Sequence, residues 1–334
     1  MANMELSEYM GQKGVMRTWA ENVVLHSKDK SIELSEEEKE ISKAVNDFAA
    51  NISVSGLGDA ALSQFLVKVV DQEVAEVPSE LIGRLFTEGS IGEFDDIGVV
   101  ASPKNTLIAR ESAARTGNVK KSYIDFTRGT KFSKHLQIET ELRMSDLRRD
   151  GALTIAQLTL FAIEAFELKK FNLVFNSIDS LITPGGENYF SCAGKLTQEG
   201  MDDFAGYIED NGNNGVIVGL TTTLRQIKNM AGYDKFLSES MKDKLYNASI
   251  LEKFNAVDIL KFNAAKKLGD GSLVLPEKRL YGISDAIGAM YTRGALRVLQ
   301  TPDNNREVIS LKFTGYEFVY TITNPEKISK LIIE

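Results

Sequence analysis

The stretch from Gly151 to Ile182, GALTIAQLTLFAIEAFELKKFNLVFNSIDSLI, constrains the fold more than any other part of the chain. Apolar residues recur at Leu153, Ile155, Ala156, Leu158, Phe161, Ala162, Ala165, Phe166, Leu168, Phe171, Phe175, Ile178 and Ile182. These intervals of three and four place side chains on one helical face. At about 1.5 Å of rise per residue a single helix here is roughly 45 Å long, near the limit of what one compact domain covers, so it should act as a strut. Glu164, Glu167, Lys169 and Lys170 interrupt the apolar run. Without about 18 uncharged apolar residues in succession, no membrane span is expected. The plainer alternative is an ordinary long core helix of an α/β enzyme.

The segments before the strut change texture twice. LSEEEKEISKAVNDFAANI carries Ile41, Val45, Phe48 and Ile52 behind a Ser35 to Glu38 capping-box pattern, which predicts an acidic, peripheral helix. A second amphipathic helix follows Gly56 and Gly58 on Leu62, Phe65, Leu66, Val69 and Val70, and Pro78 opens a short helix through Leu85 that should end at Gly89. From Asp95 the pattern turns to strands. His135 to Glu139 alternates apolar and polar residues, and a long two-stranded ribbon is expected, with its tip near Ala113 to Lys121 and KHLQIETELRM in its returning strand. Such a ribbon is marginal alone and needs another surface, plausibly a second subunit.

After the strut, TPGGENY reads as a turn and LTQEGMDDFAGYIEDNGNNG as a helix with Asp202 and Asp203 in its first turn. VIVGL and VDILKF read as buried strands, Thr221 to Thr223 as the N-cap of LRQIKNMAG, KFLSESMKDKLYNAS as a further helix, and Asp270-Gly271 as a hairpin turn. Helices and strands alternate from 198 to about 265, a compact α/β unit, and the last strands are long and antiparallel in character.

Charge is unevenly distributed. Between Lys104 and Lys134 eight basic residues (Lys104, Arg110, Arg115, Lys120, Lys121, Arg128, Lys131, Lys134) stand against two acids (Glu111, Asp125), a local balance of +6; with -8 overall, the remainder carries -14. A basic projection on an acidic body attracts other copies of itself, although a solvated loop explains the same count. The net charge argues against a dedicated nucleic-acid binder. The start MANMELSEYM has no basic region followed by an apolar one, so synthesis in the cytoplasm is the default.

Little in the sequence carries chemistry. One cysteine, Cys192, excludes an internal disulfide framework and reads as a small buried hydrophobe, and two histidines, His26 and His135, exclude a histidine-rich metal site. Gly269-Asp270-Gly271 lacks the helix and Lys-Ser/Thr pair of a phosphate loop, and Gly185-Gly186 follows a helix instead of preceding one. Catalysis would rest on carboxylates alone, with Glu93, Asp95 and Asp96 the best cluster, although a turn boundary explains these acids more simply. No catalytic residue, metal or cofactor is expected.

The order of parts, acidic arm, basic ribbon, strut, α/β unit and closing strands, resembles the tailed-bacteriophage major capsid proteins of the Hong Kong 97-like fold. DFTRGTKFSKHLQIETELRMSDLRRDGALTIAQLTLFAIEAFELKKFN carries the likeness most, supported by VIVGLTTTLRQIKNMAG and LGDGSLVLPEKRLYGIS. The resemblance implies an α+β fold divided into an N-terminal arm (1–77), the start of a P-domain (78–94), an extended E-loop β-hairpin (95–145), a P-domain spine helix (146–195), a compact α/β A-domain (196–295) and P-domain closing strands (296–334). It implies a structural protein without enzymatic activity. Homo-pentamers and homo-hexamers would close an icosahedral or prolate head around double-stranded DNA, held without sequence specificity. Lys104, Arg110, Arg115, Lys120, Lys121 and Arg128 would make the E-loop contacts between subunits. Asp303, Asn304, Asn305 and Arg306 would meet neighbours at the P-domain hairpin.

The implied partners are other copies of the chain, a portal, a decoration protein and a scaffolding protein, the last expected as a separate chain because this one starts at Met1. No membrane partner is implied, and the location is the virion after assembly in the host cytoplasm. Some members join an E-loop lysine to a P-domain asparagine with help from a buried glutamate. Lys104, Lys120 or Lys121 and Asn304 or Asn305 lie in suitable regions, yet nothing fixes a pairing and covalent joining is not expected. Two other readings stay open: an encapsulin shell enclosing cargo enzymes, and a cytoplasmic α/β enzyme, for example a transferase, using Glu93, Asp95 and Asp96.

Overall fold

A computed structural model describes residues 14–50, 59–76, 80–92, 101–104, 125–227, 253–303 and 305–334, with Tyr9, Asp95, Leu107 and Met230. Three helices open it: α1 (Val15–Lys28), α2 (Glu36–Ala50) and α3 (Asp59–Glu76). The expected capping box forms at α2, where Ser35 Oγ accepts from the Glu38 amide at 3.2 Å and Glu38 Oε2 accepts from the Ser35 amide at 2.7 Å. Trp19, Ile41, Val45, Leu62, Phe65 and Val70 are buried, and all three helices lie against the strut. A short helix, α4 (Glu80–Leu85), then passes straight into strand β1 (Phe86–Ile91), so Gly89 sits within a strand and does not end the helix. Phe86, buried edge-on to Tyr320, pulls the chain into the sheet at that point.

The strut, α6 (Gly151–Leu181), is a single helix of 31 residues, preceded by the short α5 (Met144–Arg149). Its N-terminal amides are satisfied twice: Asp150 Oδ1 accepts from the Leu153 amide at 3.1 Å, and Asn46 Oδ1 of α2 accepts from the Ala152 amide at 2.8 Å. Gly151 permits that approach, because a Cβ there would collide with the Ala49 side chain. By length and composition alone the helix could cross a membrane, with a mean hydropathy of 1.4 over 18 residues. Half of that window is buried within the fold, the pattern of a core helix.

Two sheets flank the strut. The first contains β1, β4 (Thr130–Arg143), β10 (Gly288–Arg293), β11 (Arg297–Asp303) and β12 (Val308–Ile322). The 15-residue β12 is its centre, pairing along almost its whole length with β4 on one side and with β11, then β10, on the other. At the change of partner the register shifts between Phe313 and Tyr316, where Gly315 takes φ 86°. A side chain there would be strained and would stand 2.7 Å from the Ala295 carbonyl oxygen. The bulge moves the inward face from Ile309, Leu311 and Phe313 to Tyr316, Phe318, Tyr320 and Ile322, all buried. Phe166 of α6 packs on Phe313 and Tyr316, and Ser177 bonds the Tyr320 hydroxyl at 2.6 Å. Burial pushes the Tyr320 phenol up to about 12, against the Ser177 bond.

KHLQIETELRM therefore belongs to this sheet and is not a strand of a free ribbon. Its alternation buries Leu136 and Leu142 and exposes Gln137, Glu139 and Glu141, as a strand with one covered face must. The ribbon proper is β2 (Ala101–Lys104) antiparallel to β3 (Asp125–Arg128).

The second sheet has the order β5 (Tyr189–Cys192), β13 (Ile328–Ile333), β9 (Arg279–Ile283), β6 (Val216–Leu220), β8 (Val257–Phe262) and β7 (Lys253–Phe254). VIVGL is fully buried because it is covered on both faces. Val216, Val218 and Leu220 face the strut side with Phe175 and Tyr281, while Ile217 joins Leu280, Leu331 and the buried face of α7 (Gln198–Asp210). Thr197 caps α7, and Glu199 is the first-turn acid; Asp202 and Asp203 lie one turn further in, because the helix begins at Gln198. At α8 (Thr221–Leu224) the cap position is Leu220, without a side-chain cap, since the Thr221 hydroxyl donates to the Phe262 carbonyl at 2.8 Å instead. The helix expected over KFLSESMKDKLYNAS lies outside the described residues.

An ionic clasp ties this sheet to the end of the strut. Lys330 of β13, its side chain 6% exposed, reaches Asp179 Oδ1 at 3.2 Å and donates to the Asp179 and Ile182 carbonyls at 3.2 and 3.1 Å. Arg279 donates to Asp179 Oδ2 at 2.7 Å and the Tyr281 hydroxyl donates to Oδ1 at 3.2 Å. A cation at the carbonyl end of a helix is stabilised by the macrodipole and caps its free acceptors. Asp179→Ala should destabilise the subunit by roughly 3 kcal/mol, the cost of leaving Lys330 buried without its carboxylate; urea unfolding checks this, and an unchanged midpoint and slope would dismiss the clasp as a stabilising element.

Candidate assembly surfaces

β11 and β12 form a hairpin whose ladder ends at Asp303 opposite Val308, with residues 305–307 in the turn, in the region the resemblance implied. Asp303 organises it: its Oδ1 accepts from the Asn305 amide at 3.0 Å and the Arg306 amide at 3.3 Å, the geometry of an Asx turn. Glu307 then takes φ 50° and its carbonyl accepts from the Met144 amide at 3.0 Å, anchoring the turn beside α5. The Arg306 guanidinium is committed to its own chain, gripping Glu141 of β4 through two parallel bonds of 2.9 and 3.0 Å. Sequence reasoning missed Glu141, which no local spacing links to position 306. A polar cleft of 460 Å³ lies beside the pair, lined by Glu141, Arg143, Ser145, Arg306, Glu307 and Val308. Asn304 lies outside the described residues.

The second surface is the root of the ribbon. Its ladder runs from Ala101 opposite Arg128 to Lys104 opposite Asp125. Gly129 joins β3 to β4 where no Cβ fits against Thr321 and Thr323, so the ribbon is seated tightly on the end of β12. Lys104 lies in β2 and Arg128, at the end of β3, is exposed. Arg110, Arg115, Lys120 and Lys121 lie outside the described residues. Just beyond the root, Glu317 of β12 gathers Ser133 at 2.6 Å, Arg293 at 3.5 Å and His135 at 3.6 Å, and Arg293 also donates to the Asp95 carbonyl at 2.6 Å.

The carboxylates considered for catalysis do not form a described cluster. Asp95 closes a turn, its Oδ2 accepting from the Gly92 amide at 3.1 Å, while Glu93 and Asp96 lie outside the described residues. Among the described residues no group of three or more His, Cys, Asp or Glu is placed to hold a metal. Cys192 is buried, with Sγ 3.5 Å from the Thr197 hydroxyl. Where the three chain crossings between the sheets meet, Lys327 pairs with Asp285 at 2.9 Å and its hydrogen bond holds the Asp285 carboxyl below the usual range.

Residues 152–326 match the family model described as SPbeta prophage-derived putative capsid protein YonB. Among solved structures, a chain of Microbacterium phage Oxtober96 aligns with a TM-score of 0.50 at 10% identity, covering 77% of this chain and 92% of that one. That likeness shows a shared fold. A chain of Mycobacterium phage Bobi aligns at a TM-score of 0.49 and 10% identity over 78% of this chain and 92% of its own. For the capsid structure of cyanophage P-SCSP1u the values are 0.48, 10%, 78% and 91%. No curated protein matches.

Arg306→Ala should cost the isolated subunit less than about 1 kcal/mol, because the pair with Glu141 is largely exposed and water competes for both partners. Thermal unfolding of wild type and variant measures this, and a loss of several kcal/mol would mean that the hairpin depends on the pair.

Proposed function

Because this chain belongs to that family of prophage-derived capsid proteins, it is a structural protein of the virion capsid and not an enzyme, and we propose that it is the major subunit, closing a symmetric shell. The proposed arrangement is of the Hong Kong 97 type: an N-terminal arm over 1–77, P-domain segments at 78–94, 146–195 and 296–334, an E-loop over 95–145 and an A-domain over 196–295. Sheet membership supports two units on one strut, with some strands exchanged at the sequence borders. β5 and β13 complete the six-stranded sheet, whereas β10 lies in the five-stranded one.

In this reading pentamers and hexamers form through heterologous contacts that close into rings, each weak alone and strong in sum. The basic ribbon, with Lys104, Arg110, Arg115, Lys120, Lys121 and Arg128, reaches the acidic body of an adjacent copy. The hairpin of Asp303, Asn304, Asn305 and Arg306 meets a further neighbour. The observation that carries this is the ribbon root, where a segment with six basic residues against two acids over 104–128 joins a strand fixed along β12 in a chain of net charge -8. Double-stranded DNA would be enclosed without base readout, since the chain's overall charge repels it. A scaffolding protein, a portal and a decoration protein would complete assembly in the host cytoplasm.

A double variant, Lys120→Glu with Lys121→Glu, should yield soluble, folded subunits that assemble poorly, read by negative-stain microscopy and size-exclusion chromatography. Normal shells in normal yield would remove the ribbon from the interface. Nucleic acid extracted from wild-type shells, as opposed to a protein cargo, checks the enclosed content.

A further inference from the structure

We propose that the outer edge of β4 between Leu136 and Leu142, together with the groove beneath it, receives residues 104–111 of a second copy as an added β-strand. This rests on the reading above, that the ribbon is an intersubunit element, and names the surface that receives it.

The receiving surface has three parts. First, among the described residues β4 pairs only with β12, so its other edge presents unpaired main-chain donors and acceptors, a template for another strand. Second, the edge is guarded in one half only. Residues of even number face the strut, and among them Lys134 places a charge inward at the start, whereas Leu136, Ile138, Thr140 and Leu142 carry none. Inward charges discourage edge pairing, which leaves the half from Leu136 onward open to it.

Third, a groove of 750 Å³ opens under that half, lined by Leu136, Ile138, Phe161 and Leu168 and also by Lys169 and Lys267, and closed on its far side by the turn at 265–270. Phe161 is 64% exposed on a helix whose neighbouring residues Ala162, Ile163 and Phe166 are buried. A large aromatic at the mouth of an apolar groove is the kind of anchor on which interfaces concentrate their binding energy.

The proposed occupant is KNTLIARE, Lys104 to Glu111. In an extended conformation Leu107 and Ala109 fall on one face, with Lys104, Thr106, Ile108 and Arg110 on the other. Leu107 is itself 57% exposed. Laid beside β4 with Leu107 and Ala109 in the groove, the segment brings Lys104 and Arg110 to the outer face, which carries Glu139, while Glu141 is already held by Arg306. Opposite charges across adjacent strands favour that register. On the groove's far rim Lys266 is already paired with Glu164 at 2.9 Å, which lessens its repulsion of a basic segment.

Phe161→Asp is the direct test, because the residue lies at the surface and its loss leaves the core intact. The variant should keep the wild-type circular dichroism and melting temperature yet lose most of its shells. Independently, hydrogen exchange on wild type should show backbone amides within 136–142 slowing by about tenfold or more between free subunits and shells. An acetylated, amidated peptide of residues 104–111 should bind free wild-type subunits and fail to bind Phe161→Asp. Shells in normal yield from Phe161→Asp, or unchanged exchange at 136–142 on assembly, would overturn the proposal. If the Lys120→Glu, Lys121→Glu double variant still blocks assembly in that case, the ribbon reading stands and only the receiving surface is wrong; if both variants assemble normally, the ribbon reading falls as well. Should Phe161→Asp misfold, the exchange and peptide measurements on wild type decide.

Discussion

The packing of one helix against one strand organises this molecule. The strut α6 offers Phe166 and Ser177, and β12 answers with Phe313, Tyr316 and Tyr320. That contact requires the strand to present aromatic residues on a single face over 15 positions while serving two successive partners on one edge. A regular strand could not do both here, because the apolar residues change parity between Phe313 and Tyr316. Gly315 supplies the missing residue of slack, and its left-handed conformation beside the Ala295 carbonyl leaves no room for a side chain. Everything else is fixed relative to this pair: the N-terminal helices cover the strut, β4 rides on β12, and the ribbon leaves from the end of β4.

Rigidity at the other end comes from polar groups. The chain crosses between its sheets three times, and the crossings are stapled to one another by the Ser284 amide to the Lys327 carbonyl at 2.9 Å and the Thr323 amide to the Ile287 carbonyl at 2.9 Å. Asn188 adds a side-chain bond to the Ile328 carbonyl at 2.8 Å. Beside them the Asp179 clasp holds β9 and β13 to the last turn of the strut. Burial and the nearby Asp179 charge raise the Tyr281 phenol far above its ordinary value, so it remains a hydrogen-bond donor to that carboxylate. Preorganisation of this kind suits a subunit that must repeat one geometry many times, since each contact between copies is then made without first ordering the subunit.

Local pattern made the strut, the capping box and the buried strand at 216–220 legible before any coordinates. These are features in which one local pattern determines one local structure. The destination of KHLQIETELRM was not legible, because alternation reveals that a strand has a covered face and is silent on what covers it. The end of α4 was misread for a related reason: Gly89 is a plausible stop, but burial of Phe86 against Tyr320, over 200 positions away, decides the matter. Other signals were present and unread. The shift from Ile309, Leu311 and Phe313 to Tyr316, Phe318 and Tyr320 is a change of phase visible in sequence, and Lys330 inside ISKLII is a charge where a buried strand should have none. Their partners, Gly315 in the left-handed region and Asp179 at a helix end, come together only in three dimensions.

Charge and stiffness combine in one physical picture of the subunit. Among the described residues most ion pairs are satisfied within the chain, including Arg306 with Glu141, Arg279 with Asp179 and Lys327 with Asp285. Cations are concentrated between Lys104 and Lys134. In the proposed assembly, attraction between this segment and another copy would be long-ranged enough to orient an encounter, yet screened within about 8 Å at physiological salt. Electrostatics of that range selects which surfaces meet and cannot by itself hold them, so in the proposed assembly main-chain pairing and apolar contact would complete the seam.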